Sequence, residues 1–391
     1  MVKNGPRAKL RVLTLTPFYP SDRDEVNGCF VAETLRQLNA SGVESKVIAV
    51  DSIYHASRMA SQQSPAEWIR YPQLPGNFGL SNAGRFLGAV LLSRVRKLHR
   101  QSPIHVIHAH AALPCGHAAA VLSRRLGIPF VVTIHGLDVF NRCFQDGIAA
   151  GWRRKASLSV YKNARKVICI SDKVRRLLID GMGAMSAAVS AEVVYNGTDT
   201  NLFTPGPVRE RTPTILIVGN LLAGKGHELV LRAFGRLKDS HPGLQCRMIG
   251  EGADRDRFAA LARDLGMSDQ VHFLGRQSRI EVAEAMRSCT VLALPSRYEG
   301  LGCVYLEAMA CGKPVIACRG QGIDEVIQHG RNGWLIPVDG LEELIQGMQV
   351  LLSDAELRAR IGQAARQTIL DDLTLSRQAE HLLKIYVEVA R

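Results

Sequence analysis

The segment from Leu294 to Pro314 holds the residue types and spacing best suited to chemistry. Glu299 stands in a glycine-hinged loop and Glu307 within the helix that Gly312 and Pro314 terminate. Gly300 and Gly302 let the backbone turn tightly and come close to a ligand, and the free N–H groups of the first helical turn suit a diphosphate. A carboxylate repels phosphate, but it accepts hydrogen bonds from the sugar and ribose hydroxyls on either side of one. For either glutamate alone, a solvated side chain is the plainer reading. The whole segment, starting at a strand end, argues for a sugar nucleotide.

A second element, Ile217 to His227, follows another strand and contains G-x-x-x-x-G-K. That is the beginning of a P-loop, but Gly226 stands where a Ser or Thr must bind magnesium. Without that hydroxyl, and with no obvious acidic Walker-B strand end, an NTPase is not expected. What remains is a flexible loop carrying Lys225, a point charge suited to a diphosphate. In Val131 to Asp138, His135 ends a β-branched strand, with Gly136 beside it and Asp138 further on. Such an imidazole is expected to face a crevice rather than a core. His108 and His110 alternate on a strand but lack a third metal ligand, so they read as structural, with His110 a candidate cleft residue.

These segments need strands to end where they begin. Short β-branched runs alternate with helical stretches along the whole chain, the pattern of an α/β fold with a parallel sheet covered by helices. In the first half the strands are Arg11–Thr16, Ser45–Val50, Val106–Ala109, Phe130–Ile134, Val167–Ile170 and Glu192–Tyr195. In the second they are Thr214–Val218, Gln245–Ile249, Val271–Leu274, Thr290–Leu294, Val315–Ala317 and Trp334–Pro337. Asn201 to Pro207, with two prolines and a glycine, reads as a linker. Domains are therefore expected at 1–205 and 206–372, with a last helix at about 373–391 that, by analogy alone, crosses back to join the first domain. In open parallel sheets, ligands collect beyond the carboxyl ends of the strands, where all three segments lie.

Residues 1–205 hold 26 Lys+Arg and 13 Asp+Glu, whereas residues 206–391 hold 23 of each, so the net charge of +13 belongs to the first half. Nucleic acid, an anionic acceptor or an anionic membrane would each explain this. RRM-like aromatic motifs are missing, and nucleic acid does not explain the glutamates, so no nucleic-acid partner is expected. The stretch Arg85 to Arg100 makes a helix with an apolar face and a cationic end, with more basic groups at 153–155 and 173–176. Lipid contact and a core helix with a solvated basic edge are equal readings of it. Nine cysteines, among them Cys29, Cys143 and Cys303, form no C-x-x-C pair and read as buried thiols. The short apolar start breaks at Pro17, unlike a signal peptide, and no run reaches the roughly 20 apolar residues of a spanning helix. A cytoplasmic protein is expected, with peripheral contact at the inner membrane face the alternative.

Together the motifs resemble the retaining glycosyltransferases of family 4, the group 1 glycosyl transferases of GT-B architecture, in which two Rossmann-like domains face each other across a cleft. The E-x7-E signature matches Glu299 and Glu307, H-G-x-D matches His135 to Asp138, and V-G-x-L-x-x-x-K-G matches Val218 to Gly226. The resemblance implies a hexosyltransferase whose donor is a nucleotide-diphosphate sugar. Gly219, Asn220, Lys225 and the backbone of Gly300, Leu301, Gly302, Cys303 and Val304 would bind that donor. Glu299 would hold the sugar hydroxyls and Glu307 the ribose. His135 would lie near the transferred sugar, and Asn27, Gly28 and Asp138 would serve a hydroxyl acceptor, lipid-linked in one version. No metal or other cofactor is implied. The leaving diphosphate helps deprotonate the acceptor on the face of departure, in polysaccharide, glycolipid or other glycoconjugate biosynthesis.

The chain departs from the family pattern at Asn220, where many relatives carry Arg, at Asn27 before Gly28, where a double glycine is common, and at Gln321 and Asp324. The rival readings are a sugar-nucleotide epimerase or a phosphorylase of the same architecture, a noncatalytic sugar-binding protein and a basic nucleic-acid-binding protein. A phosphorylase would need a pyridoxal lysine site that the sequence does not offer.

Overall fold

The computed structural model describes residues 9–21, 24–53, 66–72, 79–136, 138–139, 148–206 and 212–391. Leu137, Cys143, Pro207 and the basic start of the chain lie outside the described residues. The described chain divides into two compact units. One runs through Tyr195 and takes in Ser376–Arg391, and the other is Asn196–Leu375.

The first unit is built on strands β1 (Arg11–Thr16), β2 (Glu44–Ser52), β3 (Ala66–Tyr71), β4 (Val106–His110), β5 (Phe130–Ile134), β6 (Lys166–Cys169) and β7 (Ala191–Val193). They form a seven-stranded sheet in the order β3-β2-β1-β4-β5-β6-β7. Every pair is parallel, with Val12 of β1 opposite both Ser45 and Val106. Burial on both faces explains the apolar runs: β5 is buried along its whole length. The strand β3 was not expected from the sequence, because Glu67 and Arg70 interrupt its apolar pattern, which an edge strand tolerates. Helices α1 (Cys29–Ala40), α2 (Gly79–Gln101), α3 (His117–Leu126), α4 (Ile148–Asn163) and α5 (Asp172–Met182) connect the strands. The long α2 turns a small-residue face inward, where a side chain on Gly84 would overlap the Cβ of His117.

The second unit carries β8 (Thr214–Val218), β9 (Gln245–Ile249), β10 (Val271–Gly275), β11 (Val291–Ala293), β12 (Val315–Cys318) and β13 (Trp334–Ile336). Its six parallel strands follow the order β10-β9-β8-β11-β12-β13. Around them run α6 (His227–Leu237), α7 (Arg255–Asp264), α8 (Arg279–Ser288), α9 (Cys303–Ala310), α10 (Leu341–Ser353) and α11 (Ala355–Asp372). The central strands β8, β11 and β12 each release a loop at their carboxyl ends, and these three loops build the site below.

The last helix, α12 (Leu375–Val389), inserts Ala379, Leu382, Ile385 and Tyr386 into the first unit's core beside Val12, Leu35, Val106 and Ile168. Among the described residues, no helix is long and apolar enough to cross a membrane. The eight described cysteines are free thiols, most of them buried.

Candidate active site

In the second unit, the loop after β8 runs against the loop after β11. The Arg297 amide donates to the Gly224 carbonyl at 2.9 Å, and Gly226 adopts a left-handed φ of 82° beside Pro295. A Cβ there would lie 2.4 Å from the Pro295 carbonyl oxygen, which no side chain can do. The residue that removes this loop from the P-loop class is thus required by the packing of the loops. Across this seam the Lys225 ammonium meets the Glu299 carboxylate, Nζ to Oε1 at 2.5 Å, and the Ser296 hydroxyl reaches the same oxygen at 3.2 Å.

The loop after β12 closes the third side. The Glu299 amide donates to the Gln321 side-chain carbonyl at 3.0 Å, and the Gly322 amide donates to the Glu299 carbonyl at 3.2 Å. Gly322 lies so close to Gly300 that a Cβ would sit 1.8 Å from its oxygen. Gly302, at φ 87°, then caps α9, the Tyr305 amide donates to its carbonyl at 3.1 Å, and the positive end of the helix dipole lies at this turn. The sequence reading's Gly300, Leu301, Gly302, Cys303 and Val304 form this turn, and the Cys303 thiol accepts from the Asn196 amide group at 3.3 Å. Tyr305 fixes the helix from below, its buried hydroxyl donating to the Leu294 carbonyl at 2.5 Å. Gly219 sits at the end of β8 with Asn220 exposed beside it.

Glu307 lies further into α9 and is nearly buried, at 7% exposure. It meets a cation the sequence reading did not assign: Arg279 Nη1 stands 2.5 Å from Glu307 Oε1. The guanidinium also covers the ring of Phe203 at 4.7 Å. Gln321 and Arg279 are the polar residues here that sequence reasoning missed. Gln321 departs from the family pattern, and Arg279 carries one signal, its place just after the end of β10.

In the first unit, the carboxyl ends of β4 and β5 carry a row of imidazoles. His108 bonds the Tyr386 hydroxyl through Nδ1 (2.6 Å) and the Thr133 hydroxyl through Nε2 (2.7 Å). Its ring stacks on His110 at 4.5 Å, and His110 Nδ1 stands 3.1 Å from His135 Nε2. Phe18 and Phe30 meet the His135 ring edge-on, at 5.5 and 5.1 Å. Burial pushes His135 down to about 4 and His108 to about 3, with the neighbouring His135 adding to the latter, and lowers His110 well below the usual imidazole range. All three are therefore neutral near pH 7. Ala111, directly after β4, takes φ 66° and ψ 143°, a conformation that costs a non-glycine residue about 1–3 kcal/mol.

The Asp138 carboxylate turns back onto its own loop, accepting the His135 amide at 2.7 Å. Burial pushes it up to about 6, against the opposing effect of the His135 and Gly136 amides. Gly28, at φ 76°, begins α1 against the backbone of Phe18, and the Asn27 amide donates to Asp24 Oδ1 at 3.0 Å. Among the described residues, no group of three or more His, Cys, Asp and Glu is arranged to hold a metal.

The family described as Glycosyl transferases group 1 matches residues 199–368, and Glycosyltransferase Family 4 matches residues 29–202. An uncharacterized glycosyltransferase of Methanocaldococcus jannaschii is 31% identical over 68% of this chain and 70% of its own length. The chain belongs to the group 1, family 4 glycosyltransferases. The D-inositol 3-phosphate glycosyltransferase of Acidothermus cellulolyticus is 30% identical over 87% of this chain and 82% of its own. Among solved structures, sucrose-phosphate synthase from Thermosynechococcus elongatus superposes with a TM-score of 0.80 at 21% identity, covering 97% of this chain and 98% of that one. HepE of Anabaena, in complex with UDP and glucose, reaches 0.74 at 19% identity, covering 97% and 99%. The two Rossmann-like units are thus those of the GT-B glycosyltransferase architecture, and the family's activity is glycosyl transfer.

Proposed function

We propose that this glycosyltransferase moves a hexose-type sugar from a nucleotide-diphosphate sugar to a hydroxyl acceptor with retention of anomeric configuration, in the synthesis of a glycoconjugate or polysaccharide. The observation that carries this reading is the convergence of Lys225, from the loop after β8, with Glu299 and the glycine-capped start of α9, from the loop after β11. A cation and helix-terminal amides are complementary to a departing diphosphate, and that negative charge grows as the sugar C1–O bond breaks. The acceptor oxygen bonds C1 on the same face while its proton passes to the leaving diphosphate oxygen, so neither a metal nor a covalent intermediate is required. Glu299 accepts from sugar hydroxyls and Glu307 from the ribose. His135, neutral and braced by two phenylalanines, offers one imidazole nitrogen to the transferred sugar.

HepE was solved with UDP, so UDP-sugars head the list of donors to try. A thermal-shift screen against UDP-, GDP- and ADP-sugars tests the reading, followed by NMR of the product anomer. Stabilisation by one class and an axial-to-axial outcome support it. No stabilisation by any of them, or an inverted product, would overturn it.

The acceptor is proposed to be lipid-linked and met at an anionic cytoplasmic membrane face. Phe86 and Val90, one turn apart on α2, are 48% and 47% exposed, and Arg94, Lys97 and Arg100 continue the outer side of the helix. Apolar side chains followed by cations suit the boundary of an anionic bilayer. Sedimentation with phosphatidylglycerol vesicles at low salt checks this, and absence of the protein from the pellet rules it out.

A further inference from the structure

The nucleotide end of the donor site contains an arginine placed against its own helix's interest. Arg279 is the first residue of α8, where the helix dipole disfavours a cation. The local needs of that terminus are already met, since Ser278 and Glu281 form a reciprocal capping box there. The side chain instead leaves its own helix for α9, covering the Phe203 ring and meeting Glu307 at 2.5 Å. Phe203 is fully buried, and its carbonyl is held by Arg366 Nη1 at 2.8 Å, the same nitrogen that holds the Ala310 carbonyl at the end of α9 at 2.6 Å. Ring, guanidinium and carboxylate therefore form a layered clamp fastened to the middle of α9 at Glu307 and to its carboxyl end at Ala310.

We propose that Arg279 is a positioning residue for the donor nucleotide: stacked on Phe203, it fixes the Glu307 carboxylate in the orientation that accepts the ribose hydroxyls. The proposal rests on the assignment of Glu307 to the ribose. A carboxylate offers about four acceptor directions, and the bond to Arg279 occupies one of them at Oε1, leaving capacity for a pair of vicinal hydroxyls. Without the arginine, a nearly buried carboxylate loses its cation and its fixed rotamer together, and a hydroxyl pair then has no set geometry to meet. A lysine restores the charge but not the flat surface that stacks on the ring.

The test is calorimetric titration of UDP, GDP and ADP, each against its 2′-deoxy form, into the wild type, Arg279→Met, Arg279→Lys and Glu307→Gln. For the diphosphate that binds tightest, Arg279→Met should weaken the ribonucleotide about tenfold, the scale of a lost charge-assisted bond. It should also remove most of the ribo over deoxy preference, with Arg279→Lys between the two. A purely structural arginine would lower Tm and leave that preference intact. An Arg279→Met protein with the wild-type preference, or with tighter binding, overturns the proposal. If Glu307→Gln also keeps the preference, the ribose assignment has failed. If Glu307→Gln loses it and the Arg279 variants do not, only the clamp has failed. Should Arg279→Met not fold, Arg279→Lys and Phe203→Leu are read by the same ratio.

Discussion

His110 and His135 face one another nitrogen to nitrogen, Nδ1 to Nε2 at 3.1 Å. Two neutral imidazoles in that arrangement share one proton between the facing atoms, so the tautomer of one fixes that of the other. His110 thereby determines whether the remaining nitrogen of His135 donates or accepts.

Acid should destabilise the protein from about pH 6.5 downward, through its buried imidazoles. An unfolded histidine takes a proton near pH 6.5, whereas His117, His135 and His227 resist until about 4, and His108 until about 3. Between those limits the unfolded chain binds more protons, so stability falls as pH drops. Asp138, pushed up to about 6, works in the opposite direction but is one group against several. Calorimetric scans at about pH 7.5 and about pH 5 should show a lower Tm in acid. An equal or higher Tm at the lower pH would contradict the buried neutral imidazoles.

Glu307→Ala and His135→Ala should fail in different ways. The first removes a binding group used throughout the cycle and should raise the nucleotide Kd. The second should leave Kd near wild type and lower kcat by on the order of a hundredfold, as for one positioned polar group at a reacting centre. Steady-state kinetics with direct nucleotide titration separates them, and equal donor affinity and turnover in both variants and wild type would refute both roles.

Lys225→Met should raise the donor KM and lower kcat together, because its cation serves both the bound and the departing diphosphate. Lys225 and Glu299 meet at 2.5 Å, so the Glu299→Gln change should cost less in the Lys225→Met background than in wild type. Additive losses in the double-mutant cycle would show that the ion pair has no bearing on donor binding.

Gly226→Ser, which would complete a P-loop sequence, should instead damage the loop. The position needs a left-handed backbone and has Pro295 where a Cβ would go, so a loss of about 2 kcal/mol or more is expected from urea unfolding. Wild-type stability, or acquired magnesium-dependent nucleotide binding, would show that the packing had been misjudged.

Gln321→Gly moves the chain towards the common family sequence and should nevertheless reduce turnover, by roughly three- to tenfold, since the Glu299 amide loses its partner. Unchanged kcat with unchanged KM would mean that the loop holds Glu299 without it.

The sequence made legible those features that local chemistry dictates. The spans Arg11–Thr16, Phe130–Ile134, Thr214–Val218 and Gln245–Ile249 are strands end for end, because short apolar or alternating runs rich in β-branched and aliphatic residues suit a largely buried parallel sheet. Lys225 and Glu299 could be singled out because each follows a strand end within a glycine-rich stretch. Arg279 could not be assigned to Glu307, since nothing in a chain fixes which helix a long side chain will reach. Gln321 was visible as an exception but not as the partner of an amide in another loop. Likewise, the alternation of His108 and His110 showed that they share a face, but not that one would touch Tyr386 and the other His135.

The seating of α12 among Val12, Leu35 and Val106 sets a timetable for biosynthesis. A ribosome delivers the first sheet early, yet the residues that finish its interior, down to the phenol that touches His108, emerge only after the whole second unit has been made. The nascent first unit therefore waits with an open apolar seam, a stage at which chaperones or premature termination decide the fate of the chain.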